Sequence, residues 1–159
     1  MELMDYHNHH WRCGHAKHDI EDYIKAAIDK GLSEIGIADH FPYGATTDDP
    51  KFEELPRENT GMKVKEFPEY IQEIKDLRDK YKGQIHVKIS TEVAFVSSGQ
   101  ALDRQKAVLE PFMDDFDYLL CGLHSIKPDG VTAIPFSKEK GPEILRAHGE
   151  DKIHMAYIT

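Results

Sequence analysis

The chain opens with the stretch MELMDYHNHHWRCGHA (residues 1–16), which combines a strand-like alternation with a high density of histidine. Asp5, His7 and His9 share one face of an extended segment, because alternate side chains of a strand point to the same side. Five of the ten histidines of the chain lie within residues 1–18. They are His7, His9, His10, His15 and His18. Folding alone does not require this density, so the pattern predicts a first strand that ends in a functional site.

Further helix and strand signals alternate behind this stretch. Asp19 is suited to cap a helix, and Gly31 stands where a helix C-terminal glycine belongs. The second strand stops at His40, because Pro42 shortly after it cannot continue a strand interior. The predicted strands after the first cover residues 34–39, 85–92 and 116–121, and the predicted helices cover residues 20–28, 67–81 and 101–112.

Each predicted strand ends at a side chain that can bind a metal ion. His7 and His9 end the first strand, His40 the second, Glu92 the third and His124 the fourth. Strand–helix alternation implies right-handed crossovers and a parallel sheet, and therefore an α/β fold. The carboxyl ends of parallel strands form one edge, where such folds place their ligand sites. We therefore expect these five side chains to meet.

A long connection follows the second strand. Residues 43–65 carry no sustained hydrophobic period and contain Pro50 and Pro56. Connections of this length without secondary structure are usually lids or mobile segments. We therefore expect a functional loop before the second long helix.

The predicted cluster offers imidazole and carboxylate ligands without a group of thiolates. This combination suits Zn, Mn or Fe, and a shared carboxylate can bridge two ions. Two ions spaced for phosphate would bind its oxygens, activate a water and stabilise the leaving oxygen. Asp5 could accept the free ring N–H of a ligand histidine. The sequence therefore predicts a metallohydrolase that holds two or three divalent ions.

Length, charge and cysteine content exclude several classes of protein. At 159 residues, and with domains of roughly 150 residues, we expect one domain over residues 1–159. The net charge of −9 argues against a nucleic-acid-binding module, and no apolar run approaches the roughly 20 residues of a membrane span. Two cysteines do not make a disulfide framework. Without an export signal, we expect a cytoplasmic protein. Because the predicted ions would bind phosphate oxygens, we expect a small phosphorylated substrate.

Five motifs follow one another along the chain, near the predicted strand ends. They are His7-Asn8-His9, Arg12-Cys13-Gly14-His15-Ala16, Ile37-Ala38-Asp39-His40, Thr91-Glu92 and Gly122-Leu123-His124-Ser125. In order and spacing these motifs resemble those of the polymerase and histidinol phosphatase (PHP) family, and within it the histidinol-phosphatase branch. The resemblance implies a distorted seven-stranded β/α barrel with a trinuclear metal site that hydrolyses phosphate esters.

The resemblance also implies a set of ligands for the three ions. Glu92 would bridge an ion held by His7 and His9 to a second ion. His124 would hold this second ion. A third ion would be held by the remaining pair, His15 and His40.

Three further residues are expected around these ligands. Asp5 and Asp39 would support the ligand histidines. Arg12 lies between the ligand pair and His15, and its guanidinium could hold a phosphate through two parallel hydrogen bonds. The alternative for Arg12 is an ordinary solvated arginine.

The sequence also departs from the family pattern. Such barrels run to roughly 250 residues, and a later histidine and a D-x-H motif of the family have no counterpart here. We therefore expect a truncated chain that forms only the first four βα units and leaves an open sheet edge prone to self-association. His148 or His154 could replace missing ligands.

The remaining histidines and the cysteines are given ordinary structural roles. His10 points to the face opposite His9, and His18 sits at a helix start, so neither is expected to bind metal. His86 is expected to be half-buried within the third strand. Cys13 is expected to be a small buried thiol and Cys121 a core residue.

The function that these features indicate is hydrolysis of histidinol phosphate in histidine biosynthesis. One alternative is a PHP phosphoesterase that acts on nucleotides. Another is a metal-binding fragment without catalytic activity. A substrate panel separates the first two functions, and a coding sequence that continues in frame with a D-x-H motif would identify a truncated enzyme. We expect the truncated chain by itself to be a poor phosphatase.

Overall fold

The computed structural model describes residues 2–47, 51, 54, 61–96, 99–123 and 141–158. The chain divides into two compact units, residues 1–121 and residues 122–159. His124 and the middle of the predicted loop lie outside the described residues. The described ends of that loop form short 3-10 turns at Tyr43–Thr46 and Val64–Glu66.

The first unit is built on a three-stranded parallel sheet. Its strands, in spatial order, are β1 (Met4–Asp5), β2 (Glu34–Ile37) and β3 (His86–Ile89). Ile35 of β2 lies opposite Val87 of β3. The central strand β2 is almost entirely buried, as expected for a parallel strand that is covered on both faces. The parallel pairing confirms the predicted α/β class.

Within the described residues, β1 forms one edge of this sheet. Leu3 and Met4 are both exposed along it. Exposed strand edges can pair with other chains. Self-association through this edge stays a prediction.

Two amphipathic helices pack against the core of the first unit. In α1 (Ile20–Asp29), the Asp22 carboxylate accepts a hydrogen bond from the backbone N–H of Asp19 at 3.3 Å, which caps the first turn. The chain leaves α1 through Gly31, whose φ of 74° is accessible to glycine at no steric cost. The second helix, α2 (Phe67–Lys80), buries Phe67, Tyr70, Ile71, Ile74 and Leu77. Both helices confirm the predictions from helical periodicity.

Aromatic rings form the centre of this core. The Phe67 ring is fully buried and meets Phe41 and Phe112 edge to face, with centroids 5.0 and 5.4 Å away. One turn later, the Tyr70 hydroxyl donates to the carbonyl of Ser90 at 2.8 Å and accepts from the backbone N–H of Asp39 at 3.2 Å. The core is therefore tied directly to the carboxyl end of β2.

Glu92 does not end the third strand, as was predicted, but begins a new one. β3 ends at Ile89, and a short strand β4 (Glu92–Ala94) starts after a two-residue break. An isolated parallel bridge pairs Glu92 with His40, and the backbone N–H of Glu92 donates to the carbonyl of Asp39 at 2.8 Å. The chain after β3 thus still follows the chain after β2, which brings the Glu92 carboxylate beside His40.

The third predicted helix ends earlier than expected. α3 (Gln100–Leu109) is followed by a 3-10 helix at Glu110–Asp115, in which Pro111 lacks the N–H needed to continue an α-helical ladder. The prediction of α-helix up to residue 112 was therefore three residues too long.

The fourth predicted strand is also shorter than expected. β5 (Leu120–Gly122) pairs with β4 in a separate two-stranded sheet, so the described strands do not form one four-stranded sheet. Leu119 and Cys121 are both exposed, and the prediction that Cys121 lies in the core was wrong. An apolar run becomes a fully buried strand only where both of its faces are covered.

The second unit contains two short helices. α4 (Gly141–His148) and α5 (Glu150–Ile158) are separated by Gly149, which has a φ of 77°. Ile153 is buried and packs against Ile144 and Leu123. In the part of the chain that the structure describes, no helix is long and apolar enough to cross a membrane.

Gly36 allows the Tyr118 hydroxyl to approach the centre of β2. A Cβ atom at residue 36 would lie 2.0 Å from Tyr118 Oη. We expect Gly36→Ala to displace this ring and break its 2.6 Å hydrogen bond to the carbonyl of Tyr6. The free energy of unfolding should fall by about 1–3 kcal/mol, the range typical of overpacking, as measured by urea denaturation.

The matched control for this prediction removes the obstructing ring. In a Tyr118→Ser background, Gly36→Ala has no ring to displace and should lower the free energy of unfolding much less. An equal cost in both backgrounds would show that the close approach of Tyr118 is not the reason for glycine at this position.

Candidate metal centre

In the segment after β1, His7 and His9 lie on the same side of the chain. The Asn8 side chain is buried, and its Nδ2 donates to the carbonyl of Gly36 in β2 at 2.7 Å. This contact fixes the segment, so that His7 and His9, on either side of Asn8, point away from it together. Their ring centroids lie 5.0 Å apart. The structure thus brings this predicted pair together.

His15 reaches the same place by a tight turn. A 3-10 helix at Trp11–Cys13 is followed by Gly14, which has a φ of 82° and reverses the chain. The His15 ring then lies 5.2 Å from the His9 ring and 5.0 Å from the His40 ring, measured between centroids. His9 and His40 are closer still, at 4.4 Å. Four predicted histidines therefore form one cluster.

One carboxylate oxygen of Glu92 faces three of these rings. Glu92 Oε2 lies 2.8 Å from His40 Nδ1, 3.4 Å from His7 Nε2 and 3.9 Å from His9 Nε2. Glu92 is itself buried, whereas the His7 side chain is 50% exposed. The Glu92 carboxylate thus lies on the buried side of the cluster, and the His7 side of the cluster is open to solvent.

The donor set fits a divalent metal ion. Ligand atoms within 4.8 Å of one another come from three groups of side chains, and His9 belongs to each. The groups are His9, His15 and His40; His7, His9 and Glu92; and His9, Cys13 and Asp39. Imidazole with carboxylate is the combination that Zn, Mn and Fe accept.

Asp39 is a buried carboxylate behind His9. Its Oδ1 accepts hydrogen bonds from His9 Nδ1 at 3.0 Å and from the backbone N–H of His40 at 2.8 Å. Burial raises the pKa of Asp39, but the hydrogen bond from His9 and the surrounding charges outweigh it, so the pKa lies below its ordinary value. Asp39 is therefore ionised and holds two histidines of the cluster.

The same contact affects the protonation of His9. Its hydrogen bond to Asp39, followed by that to Cys13, raises the pKa of His9 to about 10. Burial and the nearby His40 lower the pKa of His15. Because metal ligation requires a neutral imidazole, a cation that binds His9 Nε2 displaces the proton from that nitrogen. The proton on Nδ1 remains there, hydrogen-bonded to Asp39.

Two predicted residues make contacts other than those expected. Asp5 Oδ1 accepts from the backbone N–H of His7 at 3.1 Å, so Asp5 holds His7 through the main chain and not through its ring. Arg12 is buried, and its Nη2 pairs with Glu73 of α2 at 2.7 Å. It is therefore not a solvated arginine, and its role in phosphate binding stays a prediction.

The other histidines differ in how well the sequence predicted them. His18 is exposed, as expected at a helix start. His86 is exposed, so the prediction that it is half-buried was wrong. His154 is exposed on α5, and its replacement of a missing ligand, like that by His148, stays a prediction. His124 lies outside the described residues.

Two residues near the cluster were not predicted to lie there. The Tyr43 hydroxyl lies 3.2 Å from His40 Nδ1, although Tyr43 falls within the loop that showed no periodicity. His10 is fully buried, with Nε2 3.1 Å from Asp39 Oδ2. The only signal for His10 was a third histidine directly after the H-x-H pair. Cys13 is buried, as predicted.

Comparison with known proteins places this site in a family context. The family model for the PHP domain matches residues 5–158. The chain is 32% identical over 122 residues to the "Probable histidinol-phosphatase" of Deinococcus radiodurans, covering 77% of this chain and 42% of that protein. It is 24% identical over 151 residues to the "Histidinol-phosphatase" of Bacillus subtilis, covering 94% and 54%. The chain thus spans about half the length of the curated relatives it matches.

Two solved structures resemble the chain. The hisK protein of Listeria monocytogenes aligns with a TM-score of 0.76 at 22% identity, covering 98% of this chain and 58% of that one. The histidinol phosphate phosphatase of Lactococcus lactis, solved with zinc, L-histidinol and phosphate, aligns with a TM-score of 0.51 at 25% identity, covering 77% and 40%. The fold therefore corresponds to part of a PHP barrel, which confirms the predicted incomplete barrel.

Proposed function

This chain belongs to the PHP domain family, and on that basis we propose that it hydrolyses L-histidinol phosphate to L-histidinol and phosphate, as a metal-dependent step of histidine biosynthesis in the cytoplasm. The observation that carries this proposal is the cluster of His7, His9, His15 and His40, in which three of the rings face one oxygen of Glu92. Relatives named as histidinol phosphatases support the choice of substrate.

The cluster would hold two or three divalent ions, of which zinc has the strongest support. Zinc accompanies histidinol and phosphate in the Lactococcus lactis structure. His7, His9 and Glu92 form one candidate ligand group, and His15 and His40 extend the cluster on the other side of His9. Bound ions would supply Lewis-acid stabilisation of the phosphate oxygens and a nucleophile from water at neutral pH.

The residues of the chain prepare the site for an anionic substrate. Glu92 supplies negative charge that favours cations among the rings, and cations in turn offset the net charge of −9 that would repel a phosphate. The exposed sides of His7 and His15 leave the cluster accessible from solvent. Asp39 holds the orientation of His9, which keeps its Nε2 directed towards Glu92.

The test is phosphate release from L-histidinol phosphate by the purified chain loaded with zinc. We expect release that a chelator abolishes and added zinc restores, with a mononucleotide hydrolysed much more slowly. The exposed variant His86→Gln serves as the control and should behave as the wild type.

Three other outcomes would decide against the proposal. Faster release from the mononucleotide would favour a PHP phosphoesterase that acts on nucleotides. Zinc binding without release from either substrate would favour a metal-binding protein without catalytic activity. Phosphate release that a chelator does not affect would show that the reaction does not require a metal ion.

A further inference from the structure

His10 is the one histidine near the cluster that lies wholly inside the protein, among the residues the structure describes. It follows His9 directly, but its side chain lies on the opposite side of the segment and is 0% exposed. The ring stacks on Tyr70, with centroids 5.4 Å apart and planes inclined by 27°. A buried imidazole must find partners for two nitrogens, because burying a polar group without a hydrogen bond is costly.

The first nitrogen of His10 is assigned by the turn that follows it. His10 Nδ1 accepts a hydrogen bond from the backbone N–H of Arg12 at 3.3 Å, as the N-cap of the 3-10 helix at Trp11–Cys13. An accepting nitrogen carries no proton. The neutral ring therefore has its proton on Nε2.

The second nitrogen faces the carboxylate behind His9. His10 Nε2 lies 3.1 Å from Asp39 Oδ2, and both atoms are fully buried. Neither atom has a hydrogen-bond partner within the described part of the chain, because their own approach at 3.1 Å lacks hydrogen-bond geometry. The contact between them is therefore electrostatic, with the ring N–H facing a buried carboxylate oxygen at 3.1 Å.

The two oxygens of Asp39 thus face different histidines. Oδ1 receives His9 Nδ1–H and the backbone N–H of His40, while Oδ2 faces His10. A carboxylate held on one oxygen only can still turn about its Cβ–Cγ bond. His10 opposes this rotation, because its ring N–H attracts the second oxygen from inside the core.

We propose that His10 is a positioning residue that acts through Asp39: it fixes the carboxylate that keeps the proton of His9 on Nδ1 and directs His9 Nε2 towards the metal ions. This inference rests on the proposed metal-binding function of His9. His10 touches neither substrate nor ion in this role. The opposing possibility is that His10 only fills space against Tyr70.

Two substitutions separate these roles. His10→Phe keeps an aromatic ring against Tyr70 but removes both nitrogens, whereas His10→Gln keeps an N–H donor near the position of Nε2. If His10 acts through Asp39, His10→Phe should weaken zinc binding by about 10–100-fold, the usual loss for a partner behind a metal ligand. His10→Gln should restore most of the affinity, and the exposed control His86→Gln should leave it unchanged.

A double-mutant cycle tests the route through Asp39. In an Asp39→Asn background, the further change His10→Phe should alter the zinc dissociation constant very little, because the carboxylate that transmits the effect is already gone. Equal losses in both backgrounds, or wild-type affinity in a folded His10→Phe variant, would overturn the proposal.

A measurement on the unmutated protein keeps the test decisive if His10→Phe does not fold. Nitrogen-15 NMR of the metal-free wild type should find His10 neutral, with its proton on Nε2. A proton on Nδ1 would overturn the inference. If the wild type fails to bind zinc, the proposed function is lost, and the NMR result still decides the contact between His10 and Asp39.

Discussion

Glu92→Gln is expected to weaken zinc binding by more than about 100-fold, beyond the 10–100-fold typical of residues that stand behind a metal ligand. The substitution keeps the size of the side chain but removes its charge. It also replaces one oxygen by an NH2 group, which donates hydrogen bonds and cannot bind a cation. Because Oε2 faces His7, His9 and His40 together, the loss would affect every ion that this carboxylate would hold.

Calorimetric titration with zinc and the metal content of the purified protein measure this effect. Glu110→Gln is the matched control, because Glu110 is an exposed carboxylate in the 3-10 helix after α3. Circular dichroism should show that the Glu92 variant remains folded. Similar zinc affinity in the two variants would contradict a bridging role for Glu92.

Phe67→Ala is expected to lower the free energy of unfolding by about 3–5 kcal/mol, the usual loss when a buried aromatic ring is removed from a core. The ring is fully buried between Phe41 and Phe112. Domains of this size are stable by only about 5–15 kcal/mol, so the substitution removes a large share of the total. We therefore expect a much lower urea midpoint or a loss of folded protein.

Two controls define this effect. Phe67→Leu retains most of the apolar volume and should cost clearly less, because the remaining cavity is smaller. Phe95→Ala removes a ring that is 56% exposed and should change stability little. Equal costs for Phe67→Ala and Phe95→Ala would show that the aromatic cluster does not hold the core together.

Periodicity predicted those parts of the fold whose burial follows a regular pattern. The apolar stripes of α1 and α2 recur at helical spacing, and both helices lie where the sequence placed them. The strand-end argument brought together His7, His9, His40 and Glu92, because parallel strands carry their carboxyl ends to one edge. The resemblance to PHP proteins added His15, which reaches the cluster from a turn.

Other features depend on contacts between distant parts of the chain. The apolar run over residues 116–121 predicts a buried strand. Whether both faces of that strand are covered depends on neighbouring elements, which the run itself does not show. Arg12 pairs with Glu73, which is 61 residues away in the sequence, and no local sequence pattern predicts that contact. His10 is buried because the turn at Trp11–Cys13 folds it inward, and a histidine on a strand-like alternation gives no sign of that turn.

His9 belongs to every candidate ligand group, and this makes the binding of successive ions interdependent. With Nδ1 committed to Asp39, a single lone pair on Nε2 remains, and it can serve one ion at a time. Occupation of one group therefore takes a donor from the next, and by thermodynamic reciprocity each ion alters the affinity for the other equally. Zinc titration of this protein should therefore show negative cooperativity, with each further ion bound more weakly than the one before.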